Sequence, residues 1–113
     1  MTTVTNPQPA LRALARRSVE VIVEHQHVGG AYPASPTFRV YQFSWFRDWA
    51  FIADAMSRAG HQASADAFFE WCVRIINDRS DQIRDLIERR RAGEPVGRDD
   101  HLPTRFTLDG EPT

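Results

Sequence analysis

Apolar residues recur along this chain at spacings of three and four in three places, and each run predicts an amphipathic helix. The first carries Leu11, Leu14, Ala15, Val19, Ile22 and Val23. It follows Pro9, which suits a first helical turn, and should end near His27, where Gly29 and Gly30 stop it. The second carries Phe46, Ala50, Phe51, Ala53, Ala55 and Met56, with Ser44 as expected N-cap and Gly60 as C-terminal stop. The third begins after Ser64, another expected cap, and places Phe68, Trp71, Cys72, Ile75 and Ile76 on one face. Polar residues at Asn77 to Asp81 interrupt it, yet Ile83, Leu86 and Ile87 resume in phase. Two readings stay open there: a break, or one long helix. Glu88 to Arg91 is a charge run expected at a solvated helical end.

Between these runs lie segments that cannot be helical. Met1 to Pro9 reads as a loose lead-in. "GGAYPASPTFRV", from Gly29 to Val40, has two glycines and two prolines and reads as an ordered loop. It is too apolar and aromatic for disorder. Thr37 to Phe43 is β-branched and aromatic, so a short extended segment is expected there. Gly93 to Thr113 is polar, but "LPTRFTLDG" within it has strand-like residues followed by a turn signal. The result is an all-α chain of about three helices joined by long ordered loops. Loops of that length in a small helical protein are usually functional.

Composition removes several functions. Net charge is −1 over 113 residues, with no basic bias to draw nucleic acid or an anionic membrane. All 14 basic residues are arginine, so lysine Schiff-base chemistry is excluded. Cys72 is the sole cysteine, which forbids an intrachain disulfide and suggests a buried, reduced thiol. No apolar run has the length of a signal peptide or a membrane span, so a cytoplasmic protein is expected. His25 and His27, two apart on a helix, face different ways and should not share a metal. Asp99, Asp100 and His101 read as a solvated loop. Glu20, Glu24 and Glu70 read as exposed helix positions. No phosphate loop, zinc spacing or serine nucleophile motif occurs, and neither metal nor cofactor is expected.

One stretch resists the bland reading. "YQFSWFRDWAF", Tyr41 to Phe51, sets Arg47 and Asp48 in the most aromatic part of the chain. Arginine offers a planar fork of donors and aspartate two acceptor oxygens. A sugar hydroxyl needs both, and Tyr41, Trp45 and Trp49 offer flat faces for a pyranose C–H surface. The plainer alternative is an aspartate in a helix's first turn with an outward arginine.

At "GAYPASPTFRVYQFSWFRDWAFIADAMSRAG" the sequence closely resembles the N-terminal part of glycoside hydrolase family 15, the glucoamylase-like proteins, which include isomaltose glucohydrolases and a bacterial trehalase group. The pattern Tyr-x-x-x-Trp-x-Arg-Asp stands complete at Tyr41, Trp45, Arg47 and Asp48. "ASPTF", "AFFEWCVRII" and "LPTRFTLDG" agree in order, so the resemblance spans roughly Ser18 to Gly110. It implies a partial (α/α)6 toroid, inner helices ringed by outer ones. It also implies that Arg47 and Asp48 grip the non-reducing-end glucose, with Tyr41 and Trp45 nearby. The family cleaves α-glucosidic bonds with inversion, using one glutamate as acid and another as base. No glutamate here matches either motif, so no catalytic residue is assigned. The expectation is an N-terminal fragment, residues 1–113, inactive alone. Its apolar faces on the second and third helices would then lack partners, to be met by the rest of the toroid or by self-association. The alternative is a non-catalytic carbohydrate-binding or protein-interaction module.

Overall fold

The structure, a computed structural model, describes residues 7–35 and 37–112. Four α-helices run in order: α1 Gln8–Glu24, α2 Phe46–Arg58, α3 Gln62–Asp78 and α4 Ser80–Arg91. Two short strands, β1 Phe43–Trp45 and β2 Arg105–Thr107, pair antiparallel. Single 3₁₀ turns lie at Arg39–Tyr41 and Arg98–Asp100. The all-α expectation holds, with a small sheet added. Most of the expected lead-in lies outside the described residues; of its last members, Pro7 is the N-cap of α1, and Gln8 and Pro9 are already helical.

α1 ends at Glu24, three residues before the expected His27, and the chain then turns through His27 to Gly30. Gly30 makes that turn possible. Its φ is +108°, and a Cβ there would sit 2.1 Å from the Ala67 carbonyl oxygen on α3. Only glycine admits both the angle and the approach. The loop therefore lies directly on α3, which buries Ala31 and Tyr32 completely.

α2 and α3 form the central helical hairpin. Gly60, φ +92°, is the stop between them. Its N–H donates to Ser57 O at 3.1 Å and that of His61 to Met56 O at 2.9 Å, a complete Schellman closure. Ala53 and Met56 from α2 meet Ala65, Phe68, Trp71 and Ile75 from α3 in the buried core, joined by Phe106 of β2. The interruption after Asn77 is a true break. Arg79 leaves the helix at φ −109°, ψ 13°, between Asp78 and Ser80, residue types of low helix preference. The Arg79 guanidinium lies 5.2 Å over the Phe106 ring.

Two expectations need correction. The extended segment is not Thr37–Phe43: Arg39–Tyr41 is a 3₁₀ turn and the strand starts at Phe43. The faces of α2 and α3 largely cover each other. The least covered apolar face belongs to α1, which buries no residue and leaves Leu11 52% and Leu14 63% exposed. Phe51, Phe69 and Val73 remain exposed on the outer sides of α2 and α3. The radius of gyration is 19.0 Å. A compact domain of this length would have about 13 Å.

Candidate functional site

The start of α2 sorts its residues by helical angle. Phe46, Trp49, Ala53 and Met56 fall on the inner face, while Arg47, Asp48 and Phe51 turn outward. Arg47 Nε lies 3.6 Å from Asp48 Oδ1, with the side chains 86% and 64% exposed. An exposed pair of this kind contributes about 0–1 kcal/mol to stability. Asp48 sits in the first turn, where the helix dipole favours a carboxylate. The fold thus spends these two groups on its surface, where a donor fork and an acceptor pair stand side by side.

The neighbouring aromatics divide. Trp49 is not a wall of this surface: it stacks inward on Tyr32, centroids 5.0 Å apart. Tyr32 stacks on Phe68 at 5.1 Å, and Phe68 on Trp71 at 5.7 Å. Phe46 stacks on Phe106 at 5.2 Å. Tyr41 is half exposed, and its aromatic partner is Phe38 at 5.6 Å. Trp45 is half-buried and meets Phe43 edge-on, 6.3 Å away at 88°. Trp45 thus ends β1, Arg47 and Asp48 follow in the first turn of α2, and Tyr41 ends the 3₁₀ turn that precedes β1.

Neither expected serine cap forms. Ser44 lies in β1, fully buried opposite Phe106, because strand alternation turns it away from Phe43 and Trp45. Trp45 is the N-cap of α2, without a side-chain cap bond. Ser64 lies inside the first turn of α3, which starts at Gln62 after His61. Its hydroxyl meets the Tyr32 hydroxyl at 2.6 Å and donates to Gln26 Oε1 at 2.7 Å. Gln26 Nε2 donates to Gly30 O and Ser64 O at 2.8 and 2.9 Å. Burial raises the Tyr32 phenol, and the Ser64 bond works against that rise. This network ties the loop after α1 to α3 and fixes the stack that holds Trp49. Only its pairing partners 38 positions apart explain Gln26 and Ser64, and no local pattern could have shown them.

The other clusters are structural. His27 Nδ1 accepts the Gly29 N–H at 3.1 Å, while His25 Nδ1 bonds Val21 O at 2.8 Å. No cluster of three metal-binding side chains occurs among the described residues. Asp100 is not simply solvated: it takes Arg89 Nη1 and Nη2 at 3.2 and 3.3 Å and the Gly97 N–H at 2.8 Å. Arg89 and then that N–H hold its carboxyl below the usual range. Arg89 is thereby drawn out of the expected solvated charge run. Arg17 pairs with Glu20 and Glu24 on the exposed side of α1, and Glu70 is exposed. Burial pushes the Cys72 thiol up to about 12.

The arrangement matches part of several known proteins. Residues 8–106 match the family described as glycosyl hydrolases family 15. The chain belongs to that family. An isomaltose glucohydrolase of Kribbella flavida is 46% identical over 101 residues, covering 88% of this chain and 26% of its own length. A solved wild-type glycosidase matches with a TM-score of 0.88 at 42% identity, over 97% of this chain and 30% of its own. A variant glycosidase solved in complex with glucose matches with the same score and coverage. The family 15 chain described here thus spans between a quarter and a third of these relatives. Its four helices and small sheet match one part of those longer glycosidases.

Proposed function

We propose that this chain carries the glucose-gripping floor of an inverting α-glucosidic hydrolase, with Arg47 and Asp48 as the clamp and Trp45 and Tyr41 beside it. The observation that carries the reading is the outward, mutually paired placement of Arg47 and Asp48 at the mouth of α2. Their stability contribution is small, so fold maintenance does not account for them. Asp48 accepts from two adjacent sugar hydroxyls while Arg47 donates to their oxygens. Charge-assisted bonds of this type are worth about 1.5–3 kcal/mol each when made to a ligand that excludes water. Trp45 offers its ring to the apolar sugar face. The glucose-bound relative and the isomaltose glucohydrolase support glucose and an α-glucosidic substrate as the chemistry to test.

In this reading residues 1–113 are the N-terminal portion of an (α/α)6 toroid acting in the cytoplasm. No helix is long and apolar enough to cross a membrane among the described residues. The general acid and general base of inversion stand about 6.5–9.5 Å apart across the bond. No glutamate of this chain is assigned to either role. The remainder of the ring, or a second copy, covers the apolar face of α1, the least covered surface of the fold.

Titration with glucose and isomaltose, followed by tryptophan fluorescence and by heteronuclear NMR, tests the clamp. Asp48→Asn should weaken glucose binding at least about tenfold, from the loss of one charged bond, without changing the far-UV spectrum. Equal binding by the variant would remove Asp48 from the site. Hydrolysis of isomaltose by this chain alone would overturn the assignment of acid and base to other residues.

A further inference from the structure

We propose that Arg105, on β2, is a positioning residue that sets the ring of Trp45 for sugar stacking; the inference rests on the sugar reading of Arg47 and Asp48. The strand register makes the case. Trp45 pairs with Arg105, Ser44 with Phe106 and Phe43 with Thr107. Side chains alternate across a strand, so Phe43, Trp45, Arg105 and Thr107 share the outer face. Ser44 and Phe106 take the inner one and are buried.

On the outer face the Arg105 guanidinium carbon lies 4.4 Å from the Phe43 ring centre and 5.6 Å from that of Trp45. Both distances fall within the reach of a cation–π contact, about 6 Å. Phe43 meets Trp45 edge-on at 88°. The indole is therefore held from two directions, by a ring edge and by a cation. Trp45 is also the N-cap of α2, so the wall it forms stands two and three residues before the clamp. A stacking ring works best when its rotamer is set before the ligand arrives. Arginine suits this task better than lysine, because its planar group lies flat on a ring. The residue lies three helices later in the sequence, so no local reading of the Arg-Asp stretch would include it.

The test uses the full chain with Arg105→Met and Arg105→Lys, reading the indole N–H resonances and glucose titrations. Trp71 is the internal control. Its Nε1 donates to Leu108 O at 3.2 Å and so reports whether the segment after β2 stays seated. In Arg105→Met the Trp45 resonance should shift or broaden while Trp71 holds, and glucose should bind about two- to fivefold more weakly. Arg105→Lys should fall between the two. An unmoved Trp45 resonance in Arg105→Met overturns the proposal, as does a moved one with unchanged glucose affinity. If Trp71 also moves in Arg105→Met, Arg105→Lys decides by the same Trp45 criterion. Should the unsubstituted chain bind no glucose, the sugar reading itself falls, and the Trp45 resonance alone decides whether Arg105 holds the ring.

Discussion

Replacing Gly30 with alanine tests how the loop is seated under the site. Two costs follow from the structure. At φ +108° an L side chain is strained by roughly 1–2 kcal/mol. The new Cβ would also stand 2.1 Å from the Ala67 carbonyl oxygen, a backbone atom that cannot swing aside. The loop must lift, and lifting it weakens the Gln26 Nε2 to Gly30 O and Gly30 N–H to His27 O bonds, both 2.8 Å. Each such bond is worth about 1 kcal/mol. The expected loss is therefore about 3–4 kcal/mol, a large share of a domain's usual 5–15 kcal/mol or so. Gly60→Ala provides the control. Gly60 is also left-handed, at φ +92°, but nothing lies within 4 Å of its would-be Cβ. Its alanine variant should lose only the conformational part, about 1–2 kcal/mol. Urea unfolding followed by tryptophan fluorescence measures both. If the two variants lose the same stability, the loop does not rest on α3 as described, and the support of Tyr32 and Trp49 must be redrawn.

Three further outcomes are expected. Cys72 should resist thiol reagents at pH 8 in the native chain and react promptly in urea. Its burial favours the neutral thiol, so that stabilisation is complete below pH 9, the unfolded value, and is lost as pH rises toward 12. Asp100→Asn should lower stability at neutral pH and flatten the acid limb of the stability profile. The depressed carboxyl stabilises the fold above its unfolded value near pH 4 and ceases to do so as pH falls below it; parallel limbs in both proteins would refute this. Leu14→Glu, at a residue 63% exposed, should shift any self-associated fraction toward monomer in size-exclusion chromatography with light scattering, leaving the fold intact. An unchanged profile would exclude the α1 face as the contact.

Much of the architecture was legible because helical periodicity is local. The runs behind α1, α2 and α3 mark where the helices lie, and Gly60 ends its helix as its position suggests, but the buried face of α2 is rotated from the expected run: Phe51 is exposed while Trp49 and Ile52 pack on the core. What stayed hidden depends on partners distant in sequence. Ser44 and Ser64 have the composition of helix caps, yet tertiary contacts claim both, one opposite Phe106 and the other between Tyr32 and Gln26. Trp49 looked like part of the sugar wall because it follows Asp48 directly. A helix turns about 100° per residue, which carries its ring inward to Tyr32. Arg47 and Asp48 stood out in the sequence because charge in an aromatic run is rare, and the structure places both on the surface. Arg105 did not stand out, since only the pairing of β1 with β2 places it over Trp45.

That pairing also sets a timetable. β1 precedes three helices that β2 follows, so the strand holding Trp45 has no partner until all of them have been synthesised. Translation proceeds at about 5–20 residues per second, which leaves an interval of several seconds. During it α2 and α3 can already close their hairpin, since their contacts are local, whereas Phe106 has yet to reach the core. Long-range pairings of this kind form late and slow folding. A nascent chain therefore closes Phe46 onto Trp71 within the α2–α3 hairpin first, and only the arrival of Phe106 completes the core and gives Ser44 its partner strand.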